Sequence, residues 1–315
     1  MAPAPSGEQH EIVFGEQRAT IVEVGGGIRE YSDGGRDVLE PYPLEEMCDG
    51  AHGTVLVPWP NRLGDGSYEF DGRRLQLALT EPSRRNAIHG LLRWTSWRAL
   101  AREQARVVMG ARIHPQPGYP FDVEVSVEYS LGEQGLVVVT TARNAGERPC
   151  PFGAGQHPYL SPGDAVLDRC TLELPAGSAI RTDPERMLPV GREPVAGGEL
   201  DFRSPRPLGT AVIDSAFEDL RRDTNGLARA RLSAPDGRTV ELWVDDAYPL
   251  LEVFTGDTLA PHRRRRGLAL EPMSCPPDAF RSGERLVRLE PGEAWRGAWG
   301  ARLLAERRTA PRRRW

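Results

Sequence analysis

The chain of 315 residues has no lysine; all 40 of its basic residues are arginine. That excludes a Schiff-base lysine and a P-loop lysine at once. Cysteine is scarce, and Cys48, Cys150, Cys170 and Cys275 stand alone with no CxxC spacing. Zinc-ribbon and thioredoxin readings therefore fail, a disulfide framework is not expected, and the four are expected as small buried side chains. No apolar run approaches the ~20 residues of a membrane span. The start, "MAPAPSGEQHEIVFG", has neither a basic n-region nor an apolar h-region, so no signal peptide is expected and the location is expected to be cytoplasmic. A net charge of −5 argues against a general nucleic-acid surface, leaving only "HRRRRG" (262–267) and the basic tail at 304–315 as exceptions. The tail is expected to be a disordered end. His52, His89, His114 and His157 are far apart in the sequence, with no HxH or HExxH among them, so no metal is expected. Neither GxSxG nor a strand-borne GxGxxG occurs, which leaves a serine nucleophile and a nicotinamide cofactor unsupported.

What is present is period-2 alternation. "FDVEVSVEYSL" (121–131) and "GLVVVTTARN" (135–144) predict two strands around a glycine turn. "ATIVEV-GGG-IREYSDGG-RDVL" (19–39), "SYEF-DG-RRLQL" (67–77), "ARARLSA-PDG-RTVELWV" (228–244) and "ERLVRLE-PGE-AWRGAWGARL" (284–303) repeat the plan. Only short stretches, such as 214–222, look helical. The reading is mainly β: one large antiparallel β-domain, sandwich or barrel, over residues 1–303.

Four loops place reactive side chains among Pro, Gly and aromatics. In "VPWPNRLGDG" (57–66) two prolines stiffen the backbone before Asn61 and Arg62, whose carboxamide and guanidinium donate in fixed geometry; a loop-bracing arginine is the competing reading. In "RRNAIHGLLRW" (84–94), His89 beside apolar residues is by itself more often structural than functional. In "GAGQHPYL" (153–160), Pro158 disfavours helical geometry at His157, and Gly153, Ala154 and Gly155 are expected to leave a ligand unobstructed. In "GLALEPMSCPPDAF" (267–280), Glu271 ends an apolar run; partial desolvation would raise its pKa and suit it to general-base work. Asp214 in "VIDSAFEDL" could equally cap a short helix. Trp59, Trp94 and Trp243 could stack on a ligand, although most are expected in the core. The remaining set of His, Glu, Asp, Asn and Arg suits proton transfer on a polyhydroxylated ligand.

"PWPNRLGDGSYEFDG", "NAIHGL", "GAGQHPYL", "DSAFEDL", "LLEVFTGD" and "ALEPMSCPPDAF", in that order, resemble the aldose 1-epimerase (galactose mutarotase-like) family from about residue 10 to residue 303. The resemblance implies a large antiparallel β-sandwich, a free sugar as ligand, and no metal or organic cofactor. It also implies roles. Glu271 matches the general base that takes the anomeric proton, and His157 the general acid at the ring oxygen. His89 and Arg62 match residues that hydrogen-bond around the ring, and Asp214 the carboxylate that orients hydroxyls, with Asn61 its neighbour. Each of the pair is expected to be correctly protonated near neutrality. Two alternatives stay open: a sugar-binding module without turnover, and an epimerase of phosphorylated or sulfonated sugars if the arginines at 263–266 border the cleft.

Overall fold

Alternating residues form strands here because each buries one face against a second sheet. The computed structural model describes residues 4–304. One sheet runs Gln9–Phe14, Gln17–Val22, Ile28–Asp33, Arg36–Leu39, Tyr159–Leu160, Leu268–Met273, Leu250–Phe254, Asp214–Glu218, Ser178–Thr182 and Pro189–Pro194, with Val55–Leu56 and Gly155–Gln156 as short side branches. The other runs Arg98–Glu103, Arg106–Ile113, Val123–Gly132, Gly135–Asn144, Ala294–Leu304, Thr239–Val244, Ala228–Ser233, Thr171–Glu173 and Arg206–Pro207. The described pairings within both sheets are antiparallel, so the architecture is a large antiparallel β-sandwich. One apolar core joins them, with Ile21, Tyr31, Leu251 and Leu270 meeting Val127, Val138, Leu242 and Trp299. The four cysteines are buried thiols, as their spacing suggests.

Two local expectations give way to tertiary pairing. The stretch at 214–222 is no helix: Asp214–Glu218 is a strand held between Leu250–Phe254 and Ser178–Thr182. Its pattern fits either period, and two flanking strands decide for extension. The segment 284–303 is not a hairpin either. Val287–Leu289 pairs with Cys150–Phe152, while Ala294–Leu304 lies between Gly135–Asn144 and Thr239–Val244. An eleven-residue strand gains more from two long neighbours than from a three-residue one. The basic tail, apart from Leu304, lies outside the described residues.

The alternation that fills the core also builds the site. In Leu268–Met273, Leu268 and Leu270 face the core, so Ala269, Glu271 and Met273 face outward. In Leu250–Phe254, Leu251 and Val253 face inward and leave Glu252 and Phe254 outside. In Asp214–Glu218, Phe217 is inside, with Asp214 and Ala216 on the outer face. Three adjacent strands thus carry Glu271, Glu252 and Asp214 on one outer surface, and Glu252 stands directly across from Glu271.

Candidate active site

His157 falls in the break between Gly155–Gln156 and Tyr159–Leu160, not at the end of one continuous strand. Its neighbour Gln156 points the opposite way, into the core. Gln156 Nε2 donates to Gly53 O at 3.1 Å and Tyr129 Oη at 2.9 Å, and Oε1 accepts from Trp299 Nε1 at 3.0 Å. Because side chains alternate, fixing Gln156 on the second sheet turns His157 outward. The backbone of His157 is tied to the preceding loop through its N–H to Thr54 O and its carbonyl to Gly53 N–H.

The small residues before it serve packing instead of ligand access. Ala154 is fully buried. A Cβ on Gly153 would lie 2.5 Å from Cys275 Sγ, and one on Gly155 2.8 Å from Pro60 and 2.9 Å from the Pro272 carbonyl. Their smallness lets the Asn61 loop and the Glu271 strand close around His157.

His157 Nε2 lies 3.1 Å from Glu271 Oε1. The His157 ring is stacked on Tyr159, 5.0 Å between centroids, and meets His89 edge-on at 5.4 Å. Tyr159 donates to Gly50 O at 2.9 Å and stacks on His52 at 4.4 Å, with the rings 9° from parallel. His52 Nε2 donates to Glu40 O while Nδ1 accepts from Arg263 at 2.7 Å, so its tautomer is set and Arg263 is engaged behind the site.

Asn61 and His89 hold each other: Asn61 N–H donates to His89 Nδ1 at 3.2 Å, and His89 N–H to Asn61 O at 2.9 Å. Both sit in the left-handed region, at φ 54° and 62°, a strained geometry for non-glycine residues. Gly90 follows because a Cβ there would stand 2.0 Å from the Val57 carbonyl. Pairing of Arg62–Gly64 with Asn86–Ile88 fixes this arrangement. Arg62 Nε donates to Glu81 Oε2 at 3.0 Å, its Nη2 lies 3.8 Å from Asp214, and its backbone N–H donates to Asn61 Oδ1 at 2.7 Å. Arg62 both braces a loop and lines the cleft.

All six residues singled out in the sequence, Asn61, Arg62, His89, His157, Asp214 and Glu271, line one open cavity of about 490 Å³, in the range that accommodates small-molecule ligands. Of the tryptophans among the described residues only Trp94 borders it, half exposed; Trp59 is buried against Phe280. None of Arg263–Arg266 lines it. Arg265 clamps Asp168 and Asp257, and Arg263 and Arg266 border a neighbouring space of about 330 Å³. Sequence reasoning missed Glu252, Glu81, Tyr159 and Arg93. Glu252 carries the same signal as Glu271, a carboxylate in an apolar strand; Arg93 carries none.

Charge at the floor is set by burial. Desolvation, then the Asp214 charge, push Glu271 well above the carboxylate range against the pull of Arg62. Glu252, bonded to Asp214, is raised by burial, Asp214 and Glu271. Burial pushes His157 down to about 3, assisted by the fields of His52, Arg93 and Arg62. Burial therefore acts on the two in opposite senses, favouring the neutral carboxyl of Glu271 and the neutral imidazole of His157. Among the described residues no group of three His, Cys, Asp or Glu side chains could hold a metal.

Two large antiparallel sheets with a polar acid–base cleft on one outer face define the class, the galactose mutarotase-like β-sandwiches. The chain belongs to the aldose 1-epimerase family, whose sequence profile matches residues 9–300. YihR, an uncharacterized protein of Escherichia coli K12, is 36% identical over 293 residues, 92% of each chain. Human galactose mutarotase is 25% identical over 272 residues, 77% of this chain and 76% of that one. A GalM/aldose epimerase homologue from C. elegans superposes with a TM-score of 0.83 at 18% identity, over 95% of this chain and 99% of that one. A galactose mutarotase-like protein from Clostridium acetobutylicum gives 0.81 at 19% identity, over 93% and 94%.

Proposed function

We propose that the protein is a mutarotase, interconverting the α and β anomers of an aldohexopyranose whose anomeric hydroxyl is free. The observation that carries the reading is the 3.1 Å contact between His157 Nε2 and Glu271 Oε1 on the cavity floor. Ring opening needs one group that accepts the O1 proton and one that protonates O5 as the C1–O5 bond breaks. Without them water must form an alkoxide or an oxonium, and each positioned group avoids such an ion, typically worth ~10²–10⁴-fold. A pair holding a single proton supplies both functions. Transfer of that proton across the contact leaves His157 as acid and Glu271 as base. The aldehyde rotates about C1–C2 and recloses with the roles reversed, which restores the starting proton. Asp214 and Arg62 accept from and donate to ring hydroxyls, and His89, with Nδ1 occupied by Asn61, keeps its proton on Nε2 as a donor.

Polarimetry or NMR exchange on freshly dissolved α-sugars tests this. Accelerated anomer exchange, lost in His157→Asn, is expected. Rates equal to the buffer blank for every aldose, charged or neutral, would overturn it, and calorimetric binding without exchange would make the protein a sugar-binding module.

A further inference from the structure

His157 meets Glu271 through Nε2, but its other nitrogen, Nδ1, is buried and has no hydrogen-bond partner among the described residues. An imidazole in a proton-transfer site is ordinarily oriented by a bond to that second nitrogen. Here the ring is held by packing, and another ring covers its face. His157 and Tyr159 are two residues apart, so their side chains lie on the same surface. Their rings stack at 5.0 Å, 16° from parallel. Tyr159 in turn stacks on His52 at 4.4 Å, 9° from parallel. Three near-parallel rings thus form a column with His157 at one end.

The other end is anchored. His52 is buried, and both its nitrogens are engaged, Nε2 with the Glu40 carbonyl and Nδ1 with Arg263. Its backbone carbonyl accepts from Cys48 Sγ at 3.2 Å, and its backbone N–H donates to Asp49 O. The Tyr42 ring closes its edge at 5.4 Å. Burial, then the Arg263 charge, push His52 down to about 3, which favours the neutral ring. With both nitrogens occupied and Tyr159 between it and His157, His52 is placed to support and not to exchange protons. Both His52 and Tyr159 border the neighbouring space of about 330 Å³, behind the sugar cavity.

We propose that His52 is a positioning residue for the proton-transfer pair: through Tyr159 it fixes the plane of the His157 imidazole, keeping Nε2 on Glu271. The inference rests on the ring-opening reading of His157. A ring free to tilt would leave the 3.1 Å contact, and misplacing a reacting group by about 1 Å can lower a rate ~10²-fold. Arg263, from the arginine run conspicuous in the sequence, pins the last ring of the column.

The test measures kcat and KM for anomer exchange of glucose and galactose on the full chain, with thermal denaturation alongside. In His52→Leu, which fills the space without a flat face, kcat should fall roughly tenfold to a hundredfold. KM should stay within about twofold, since the sugar contacts are untouched. His52→Phe restores a ring between Tyr42 and Tyr159 and should recover kcat to within about threefold of the wild type. Should His52→Leu fail to fold, His52→Gln, which can still bond the Glu40 carbonyl but offers no ring, carries the same expectation. A kcat unmoved in the variant without a ring, an equal loss in His52→Phe, or a loss confined to KM overturns the proposal. NMR of the His157 ring protons gives a readout that needs no turnover: they should shift in His52→Leu and stay near the wild-type position in His52→Phe. If the wild type exchanges no aldose while those shifts appear, the mutarotase reading fails and the column stands. If exchange is normal and the His157 signals do not move in His52→Leu, the column fails alone.

Discussion

Replacing Glu271 with Gln should move activity and stability in opposite directions. Gln keeps the size and can still hydrogen-bond His157, but it cannot accept the anomeric proton. Anomer exchange should fall ~10²–10⁴-fold, the ordinary contribution of a general base. Stability should rise with pH relative to the wild type. The folded-state pKa of Glu271 is raised well above 4.5 by burial and by Asp214. The native chain therefore holds a proton that the unfolded chain releases. Its contribution is whole below about pH 4.5 and is lost as pH rises towards the folded value, by up to about 1.4 kcal/mol per pH unit for one group. Gln has no such dependence, so urea denaturation at pH 5 and at pH 7 should show the variant gaining on the wild type between the two. NMR exchange on the same samples gives the activity. Parallel pH slopes, or exchange within tenfold of the wild type, would refute the reasoning.

Three other outcomes are expected. The acid limb of the pH profile of exchange should fall as the pair gains a second proton at His157, which burial pushes to about 3, and the opposite limb should fall as Glu271, raised well above the usual carboxylate value, loses its proton; an acid limb with the midpoint of a free imidazole, about 6.5, would contradict this. Trp299→Phe removes the donor to the buried Gln156 Oε1 and should cost roughly 1–3 kcal/mol in denaturant titration, the penalty of an unpaired buried acceptor. Glu241→Gln leaves Arg229, Arg231 and Arg302 without their shared carboxylate and should cost about 1–3 kcal/mol, discounted for the partial exposure of the arginines. Exchange in Glu241→Gln should match the wild type.

The strands joined by tight DG, GG and PDG turns were legible because alternation and turn chemistry are local properties. The site residues were legible because His157, Glu271 and the Asn61–Arg62 pair stand among residues unsuited to plain turns. The strand at Asp214 and the partners of 284–303 were not, since both depend on neighbours distant in the chain. Arg93 was invisible for a related reason: nothing near it in sequence places it on the cleft.

Glu241, Glu252 and Glu271 make the division plain. All three sit in apolar strands, "TVELWV", "LLEVF" and "LALEPM", and alternation puts each on the face opposite its core-facing neighbours. That much the sequence by itself determined. Only the tertiary structure decided their fates. On one sheet three arginines close around Glu241 and, against the cost of burial, hold its pKa below the usual value. On the other, burial and the Asp214 charge outweigh the pull of Arg62 and raise the pKa of Glu271 beside an imidazole at the bottom of a cleft. Charge state follows from which side chains converge in space, and convergence across strands dozens of residues apart is written in the packing of two sheets.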